Sequence, residues 1–346
     1  GFCMGYEITN KKFNSYLEKW SEDYDIYAPI RIIAGGRYSD TDNIRYSKVS
    51  TVEEIEYKSK SDFSAKEVLF PVTETLFNIL DDHLIEPKYN ERKSLIFLRS
   101  CDIHAMERLD KIFLNNGECP DYYYKRRRDN AKFILMGCTN SFENCFCVSM
   151  GTNRTDNYSM GIQFYEDKVH IEVKDEIFQS YFNDDKEIEF TPPYVKENFY
   201  NVTLPDIELL DNVLFDDDMW EDYADRCIAC GRCNFSCPTC SCFTITDIHY
   251  KENPRNGERR RVWSGCQVDK FTDIAGGHTF REDHGSRMRF KTMHKIYDFE
   301  KRFGQTMCVG CGRCDDRCPE YISFAKCINT VSEKVKASER IKEGAK

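Results

Sequence analysis

Two stretches in the second half of the chain carry cysteines at the spacing of an iron–sulfur cluster motif. In each stretch two residues separate the first three cysteines, three residues precede the fourth, and a proline follows. These cysteines are Cys227, Cys230, Cys233 and Cys237, and then Cys308, Cys311, Cys314 and Cys318. Thiolates hold the irons of [4Fe-4S] clusters, and bacterial ferredoxins use this spacing. The sequence therefore predicts two [4Fe-4S] clusters, whose chemistry is one-electron transfer.

In proteins with two such motifs, the fourth cysteine of each run binds the cluster of the other run. We therefore expect two ligand sets that exchange their last member: Cys227, Cys230, Cys233 with Cys318, and Cys308, Cys311, Cys314 with Cys237. Glycines at Gly231, Gly310 and Gly312 suit a backbone that turns closely round sulfur and directs N–H groups at it. The alternative is a pair of zinc sites, which usually take two separated Cys-x2-Cys pairs.

A third group of cysteines lies in the first half of the chain, namely Cys101, Cys138, Cys145 and Cys147. Four thiols are a complete ligand set. Cys101 and Cys138 each follow an apolar, strand-like run, and open α/β sheets place ligands at the carboxyl ends of strands. These thiols are candidate ligands of a third [4Fe-4S] cluster, in which Asp102 or His104 could replace one of them. Their spacing is irregular, so buried and inert thiols are the alternative interpretation.

Other cysteines have no motif of their own, namely Cys119, Cys240, Cys242, Cys266 and Cys327. Cys240 and Cys242 come directly after the first run, so contact with a cluster, or alternative ligation of it, is open to them. Packing is the expected role, because a free cysteine behaves as a small hydrophobic residue.

The elements that must position these cysteines predict an α+β chain of two domains. Helical and strand patterns mix over residues 4–200, with buried-strand runs at 94–98 and 131–136, which indicates a mixed α/β domain. A polar, proline-marked stretch at 183–206 is typical of a linker. Residues 207–346 are expected to form a mainly helical, ferredoxin-like domain with two clusters. In it, a helix leads into each cysteine run, and the insert 240–307 has a helical pattern.

Composition and missing motifs exclude several classes of function. The 346 residues carry a formal charge of −10, and nucleic-acid binding needs a net basic face. Two basic runs, 125–128 and 259–261, indicate solvated faces or docking sites for an acidic partner. No apolar run suits a membrane span or a leader peptide, so we expect a cytoplasmic protein without a membrane partner. There is no dinucleotide or Walker motif, and no catalytic residue can be named.

From Met4 onward the chain resembles the iron–sulfur electron-transfer subunit of the anaerobic, NADH-linked sulfite reductases. The segments that carry this resemblance are GGRYSDTDNIRY, PVTETLF, CDIHAMERLD, ENCFCVSMGTN, CIACGRCNFSCPTCSC, GERRRVW, AGGHTFRE and CVGCGRCDDRCPEYI. The cysteine runs alone would indicate only a ferredoxin-like module. The segments around Cys101 and Cys145 are more specific, and they also occur, less closely, in the β subunits of cytoplasmic sulfhydrogenases.

The resemblance implies a three-subunit enzyme. A flavin subunit takes electrons from NADH, this iron–sulfur subunit conducts them, and a siroheme subunit reduces sulfite to sulfide. By position, the resemblance assigns cluster ligation to the eight cysteines of the two runs. The alternatives are the corresponding subunit of a hydrogenase or, in a different class, a structural binding protein that a metal stabilises. Net acidity and the pairing of the two runs disfavour this last alternative.

Overall fold

We describe the protein from a computed structural model, which covers residues 4–38, 40–81, 83–210 and 214–344. In chain order the strands are β1 (Met4–Thr9), β2 (Tyr24–Ile32), β3 (Asn43–Lys48), β4 (Thr73–Leu80), β5 (His83–Ile85), β6 (Lys93–Leu98), β7 (Ala131–Met136), β8 (Met160–Phe164), β9 (Lys168–Val173), β10 (Lys186–Glu189), β11 (Phe243–His249), β12 (Gly257–Trp263), β13 (Asp273–Ile274) and β14 (His278–Thr279).

The helices are α1 (Asn10–Trp20), α2 (Lys66–Leu69), α3 (Ser100–Leu114), α4 (Tyr122–Arg128), α5 (Glu176–Gln179), α6 (Glu221–Arg226), α7 (Arg232–Ser236), α8 (His284–Met293), α9 (Phe299–Phe303), α10 (Arg313–Arg317) and α11 (Phe324–Gly344). A π-helical turn, His294–Asp298, joins α8 to α9. Short 3-10 turns occupy Val52–Glu54, Ser180–Phe182 and Asp218–Trp220.

A large mixed sheet forms the first half of the molecule, in the order β10-β1-β9-β8-β7-β6-β2-β3. Its centre is parallel, since β2, β6, β7 and β8 run in one direction, and its outer pairs are antiparallel. Neighbouring residues of β6 point to opposite faces. Leu95 and Phe97 enter the core that contains α1, whereas Ile96 and Leu98 enter the core that contains α3. Both faces of the sheet are therefore covered, as parallel sheets require.

A second sheet has the antiparallel order β11-β12-β4-β5. Its strands β4 and β5 precede residue 200, whereas β11 and β12 lie in the insert between the cysteine runs. The α+β class is confirmed, but a mainly helical second part is not. The helical pattern expected over 240–307 begins only with α8, because residues 243–263 form a β-ribbon that pairs with β4. The division at residues 200 and 207 stays a prediction.

Most of the expected elements in the first half have the predicted type. The runs at 94–98 and 131–136 are the neighbouring parallel strands β6 and β7. The stretch at 183–206 is not only a linker, because β10 pairs with β1 at the edge of the large sheet. Its charged side chains are mostly exposed, so burial leaves little trace of this strand in the sequence.

Arginines of the two basic runs form ion pairs inside the fold. Arg127 of α4 pairs with Glu74 of β4 at 2.7 Å, and Arg261 of β12 pairs with Asp121 at 2.8 Å. Arg261 is buried, with 2% of its surface exposed. These pairs fasten the second sheet to α4, so neither Arg127 nor Arg261 forms the solvated or docking face that the sequence suggested.

A buried ion pair joins the large sheet to the second cysteine run. Arg313, the first residue of α10, contacts both carboxylate oxygens of Asp102 at 2.7 and 3.1 Å. Its other donors reach the carbonyl and the hydroxyl of Ser61. Both charged side chains are almost completely buried. Arg313 therefore fixes α10 against the start of α3.

Candidate functional site

The two cysteine runs have the same backbone trace. Each begins in a loop and continues through a left-handed glycine, Gly231 at φ 70° or Gly312 at φ 73°, into a five-residue helix. These helices, α7 and α10, pack against each other. The residue before the second cysteine also has positive φ in both runs, Ala229 at 54° and Gly310 at 70°. The two runs thus form a structural repeat with one turn geometry.

Glycine is required in the second run because another segment lies against it. A Cβ on Gly310 would lie 2.7 Å from the backbone of Phe146, and one on Gly312 would lie 2.2 Å from the carbonyl oxygen of Asn144. The N–H of Phe146 donates to the carbonyl of Gly310 at 2.8 Å. The second run is therefore packed directly against the loop that carries Cys145 and Cys147.

One cavity is lined by Cys227, Cys230 and Cys233 of the first run together with Cys318 of the second. Apolar side chains close it, among them Tyr223, Met288 and Phe324, and its wall also contains Lys291, Asp315 and Glu320. Cys230 is the exposed member of the set. These four thiols surround a largely apolar space, which suits a cluster with one face near solvent.

A second cavity is lined by Cys308, Cys311 and Cys314 together with Cys237. Burial raises the pKa of Cys308 to about 12 and that of Cys311 to about 11. Cys314 also contributes to the wall of the first cavity, and Cys233 to the wall of the second. The two cavities therefore adjoin, and each meets three cysteines of one run and the last cysteine of the other.

Two lysines are buried beside these thiols. Lys295 donates to the sulfur of Cys237 at 3.4 Å and to the hydroxyl of Thr239 at 2.7 Å. Burial alone would lower the pKa of Lys295, yet neighbouring thiolates, Cys237 foremost, raise it. The thiolates of Cys233 and Cys314 do the same for the pKa of Lys291. Within the described ranges neither ammonium has a carboxylate partner, so an anionic group in the cavities would compensate two buried positive charges.

The four N-terminal cysteines also converge. Cys101 is the second residue of α3, which follows β6, Cys138 follows β7, and Cys145 and Cys147 are buried in the next loop. Burial raises the pKa of Cys101, and the charge of Cys147 raises it further. Burial also raises the pKa of Cys147 to about 12, with smaller contributions from Cys145 and Cys138. Parallel pairing of β6 and β7 thus brings Cys101 and Cys138 to one edge of the sheet.

Cations and an amide surround the N-terminal group. Arg99 donates to the sulfur of Cys138 at 3.4 Å, and Asn198 donates to that of Cys147 at 3.6 Å. Lys60 lies 3.7 Å from the sulfur of Cys145 and also donates to the carbonyl of Cys311 at 2.8 Å. The guanidinium of Arg99 favours a thiolate at Cys138. The sulfurs of Cys145 and Cys147 also face acceptors, the carbonyl oxygen of Cys311 at 3.6 Å and the side-chain oxygen of Asn198 at 3.8 Å. Lys60 also connects the N-terminal group to the second run.

The side chains of Asp102 and His104 have other partners. Both oxygens of Asp102 accept from Arg313, and the two ring nitrogens of His104 lie 2.8 Å from the carbonyl of Arg154 and 3.3 Å from Glu107. The thiols are therefore better placed as ligands than either replacement. Outside the groups, Cys119 is exposed, and the buried Cys327 contacts the hydroxyl of Thr292.

Sequence reasoning did not identify Lys60, Arg99, Lys291 and Lys295. Single basic residues carry no motif, and only the burial of these side chains distinguishes them from solvated ones. A weak signal was available for Lys291 and Lys295, since they lie four residues apart on the helix that leads into the second run.

Residues 226–322, which contain both cysteine runs, match the family model described as a 4Fe-4S dicluster domain. The protein is thus an iron–sulfur electron-transfer protein that holds [4Fe-4S] clusters. Along its length it is similar to "Sulfhydrogenase 2 subunit beta" of Pyrococcus furiosus, with 28% identity over 345 residues, 94% of this chain and 98% of that one. It is therefore related to one component of an oxidoreductase complex. No solved structure matches significantly.

Two features are absent from the residues that the structure describes. No three Cys, His, Asp or Glu side chains there gather closely enough to hold a single metal ion. No helix in the same ranges is long and apolar enough to cross a membrane.

Proposed function

We propose that the protein is the electron-transfer subunit of an anaerobic sulfite-reducing complex. It takes electrons from a flavin subunit that oxidises NADH and passes them to a siroheme subunit that reduces sulfite to sulfide. The observation that carries the proposal is the pair of adjoining cavities, each lined by three cysteines of one run and the last of the other. Because the two cavities adjoin, electrons could pass from one cluster to the other, and a purely structural role for the metal would not require this proximity.

In this proposal the thiolates of Cys227, Cys230, Cys233 and Cys318 hold one [4Fe-4S] cluster, and those of Cys308, Cys311, Cys314 and Cys237 hold a second. Cys101, Cys138, Cys145 and Cys147 hold a third. When bound, each cluster accepts and releases one electron. Lys291 and Lys295 balance the negative charge of the first two sites, and Arg99 balances that of the third. Lys60, beside Cys145, is already paired with Asp316 at 2.6 Å.

The contacts between the groups support a linear order of centres. The thiol of Cys145 lies 3.6 Å from the carbonyl oxygen of Cys311, and Cys101 packs beside Val309 and Cys311. The N-terminal group therefore adjoins the second run. The cavity of the second run in turn adjoins that of the first. Electrons would pass between the large sheet and the exposed Cys230 through the second cluster.

The choice of sulfite as acceptor rests on the sequence segments that resemble the iron–sulfur subunit of the anaerobic sulfite reductases. The Pyrococcus relative favours a second candidate, the β subunit of a sulfhydrogenase or other hydrogenase complex. Both candidates use the same internal conductor and differ in the component that receives the electrons. Anaerobic purification of a tagged chain from its native cell separates them. A siroheme protein in the complex supports the first candidate, and a nickel-containing protein would replace it with the second.

Cys145→Ala is expected to lower the iron content by about four atoms per chain, because the N-terminal set loses a buried ligand. Iron and acid-labile sulfide are measured on anaerobically purified protein. The exposed Cys119→Ala is the control and should leave both values unchanged. An unchanged iron content in Cys145→Ala would return the N-terminal cysteines to a packing role.

Lys295→Met is expected to lower the reduction potential of the cluster on the second run, because a buried positive charge beside Cys237 favours the more negative, reduced form. A unit charge at this range in an effective dielectric of ~20 shifts the potential by on the order of 100 mV. Redox titration followed by electron paramagnetic resonance (EPR) measures the shift. Lys295→Arg should retain most of the potential, and the exposed Lys326→Met should retain all of it. Equal potentials in Lys295→Met and the parent would refute this charge effect.

A further inference from the structure

Three cysteines outside the assigned sets meet beside α7. The amide nitrogen of Asn234 lies 3.6 Å from the sulfur of Cys240 and 3.4 Å from that of Cys266. Burial raises the pKa of Cys242, and the charge of Cys266 raises it further. Cys240 and Cys266 are buried, and Cys242 is partly buried. The chain thus gathers these three thiols at the open end of the β11–β12 ribbon, where Phe243 pairs with Trp263.

The loop after β12 is held in place by contacts that position Cys266. A Cβ on Gly265 would lie 2.5 Å from the side-chain oxygen of Asn234, so only glycine fits there. The same oxygen accepts the N–H of Gln267 at 3.0 Å. The N–H of Ser264 donates to the carbonyl of Cys242 at 2.9 Å. Cys266 is therefore brought towards Cys240 and Cys242 by a fixed turn.

Asn234 places a buried donor against two of these sulfurs. Its side chain is 1% exposed, and within the described part of the chain its amide nitrogen has only the two sulfurs as acceptors. A neutral thiol is a weak acceptor, so a buried amide in this position would remain poorly satisfied. Thiolates would satisfy it, and buried thiolates persist when they bind metal.

A buried lysine also favours negative charge at this place. Lys66 of α2 is 2% exposed, and it donates to the carbonyls of Asn234 at 3.1 Å and Cys240 at 3.0 Å. Its ammonium lies 4.3 Å from the ring of Trp263. Among the residues that the structure describes, no carboxylate pairs with it. A buried ammonium that has only neutral partners is costly, and an anionic cluster beside Cys240 would compensate it.

We propose that Cys240, Cys242 and Cys266 bind a further [4Fe-4S] cluster through three thiolates. This site goes beyond the three clusters of the proposed function. A cluster suits these thiols better than a single ion, because three thiolates can each hold one iron of a cubane without converging on one point. The fourth iron would have no cysteine of its own among the described residues.

The proposed cluster would lie beside both paired clusters, as a side branch of the electron-transfer path. Asn234, which follows Cys233 of the first run in α7, contacts Cys240 and Cys266, and Cys240 lies three residues after Cys237, a ligand assigned to the second run. The proposed cluster therefore adjoins a ligand of each neighbour. The proposed cluster would be reduced by one electron from either neighbouring cluster, and it would be reoxidised when it returns that electron.

Native mass spectrometry of the full chain, purified without oxygen, tests this site by counting clusters. The parent for the test is the variant Cys145→Ala, Cys147→Ala, which removes the N-terminal set from the count. Three clusters per chain are expected in it, and two or fewer would overturn the proposal. A single metal ion in place of the third cluster, recognised by its mass, would also overturn it.

Two further variants in this background assign the site. Cys266→Ser, or the less buried Cys242→Ser, should lower the count from three to two and leave the EPR signals of the paired clusters unchanged. Cys327→Ser, at a buried cysteine outside every group, should retain three. Three clusters in both Cys266→Ser and Cys242→Ser would refute the assignment. These results can be distinguished from a failure of the proposed function. If the paired clusters are absent, their EPR signals are already missing in the parent.

Discussion

We expect the replacement of Cys311 by serine to remove the cluster proposed for the second run and to reduce electron delivery to background. Cys311 is 7% exposed and lines the cavity with Cys308, Cys314 and Cys237. A serine oxygen is a poor substitute among thiolates that hold iron. The same position also meets the N-terminal group, so its loss interrupts the proposed path at its centre.

Two measurements follow this change. We expect iron to fall by about four atoms per chain, and NADH-dependent sulfite reduction by the proposed complex to be lost. Cys327→Ser serves as the control, because Cys327 is buried in an apolar core and its thiol contacts the hydroxyl of Thr292. Full sulfite-reducing activity in Cys311→Ser would contradict the role of this chain as the conductor.

Asp102→Ala is expected to destabilise the protein by about 3–5 kcal/mol, since it leaves the charge of Arg313 buried without its partner. Burial alone would lower the pKa of Arg313, and Asp102 raises it well above its ordinary value. The pair joins α3 to α10, so its loss loosens the contact between the large sheet and the second cysteine run. Anaerobic thermal or urea unfolding measures the change.

An exposed ion pair provides the control for Asp102→Ala. Asp222 and Arg226 pair at 3.1 Å on α6, and 64% of the Asp222 side chain is exposed. Asp222→Ala should cost less than about 1 kcal/mol. The double variant Asp102→Leu, Arg313→Met should recover much of the loss, because it removes both buried charges together. Equal effects of Asp102→Ala and Asp222→Ala would contradict the structural role of the buried pair.

The large sheet could be predicted in part because its central strands are continuous apolar runs. β6 and β7 bury residues on both faces, and such runs are typical of parallel strands. The second sheet could not be predicted in this way. β11 is largely exposed, and its partner β12 pairs with β4, which is distant in the chain, so neither burial nor local spacing indicates the pairing.

The cysteine runs illustrate what spacing can and cannot predict. Their local trace follows from the intervals between cysteines and from the left-handed glycines, so a sequence motif is sufficient to suggest ligands. The contact between Cys145 and the carbonyl of Cys311 depends on how the large sheet meets the second run. The gathering of Cys240 and Cys266 on Asn234 depends on the turn after β12. Contacts of this kind between distant parts of the chain can be identified only from the folded structure.

Reductive titration of the anaerobically purified chain, with iron and acid-labile sulfide counted on the same sample, tests the electron-transfer role most directly. We expect no fewer than about eight irons and eight sulfides, and at least two centres that dithionite reduces. Because the two cavities adjoin, the reduced pair should give an EPR spectrum with spin–spin interaction. Zinc in the two cysteine runs, with no reducible centre, would contradict this role.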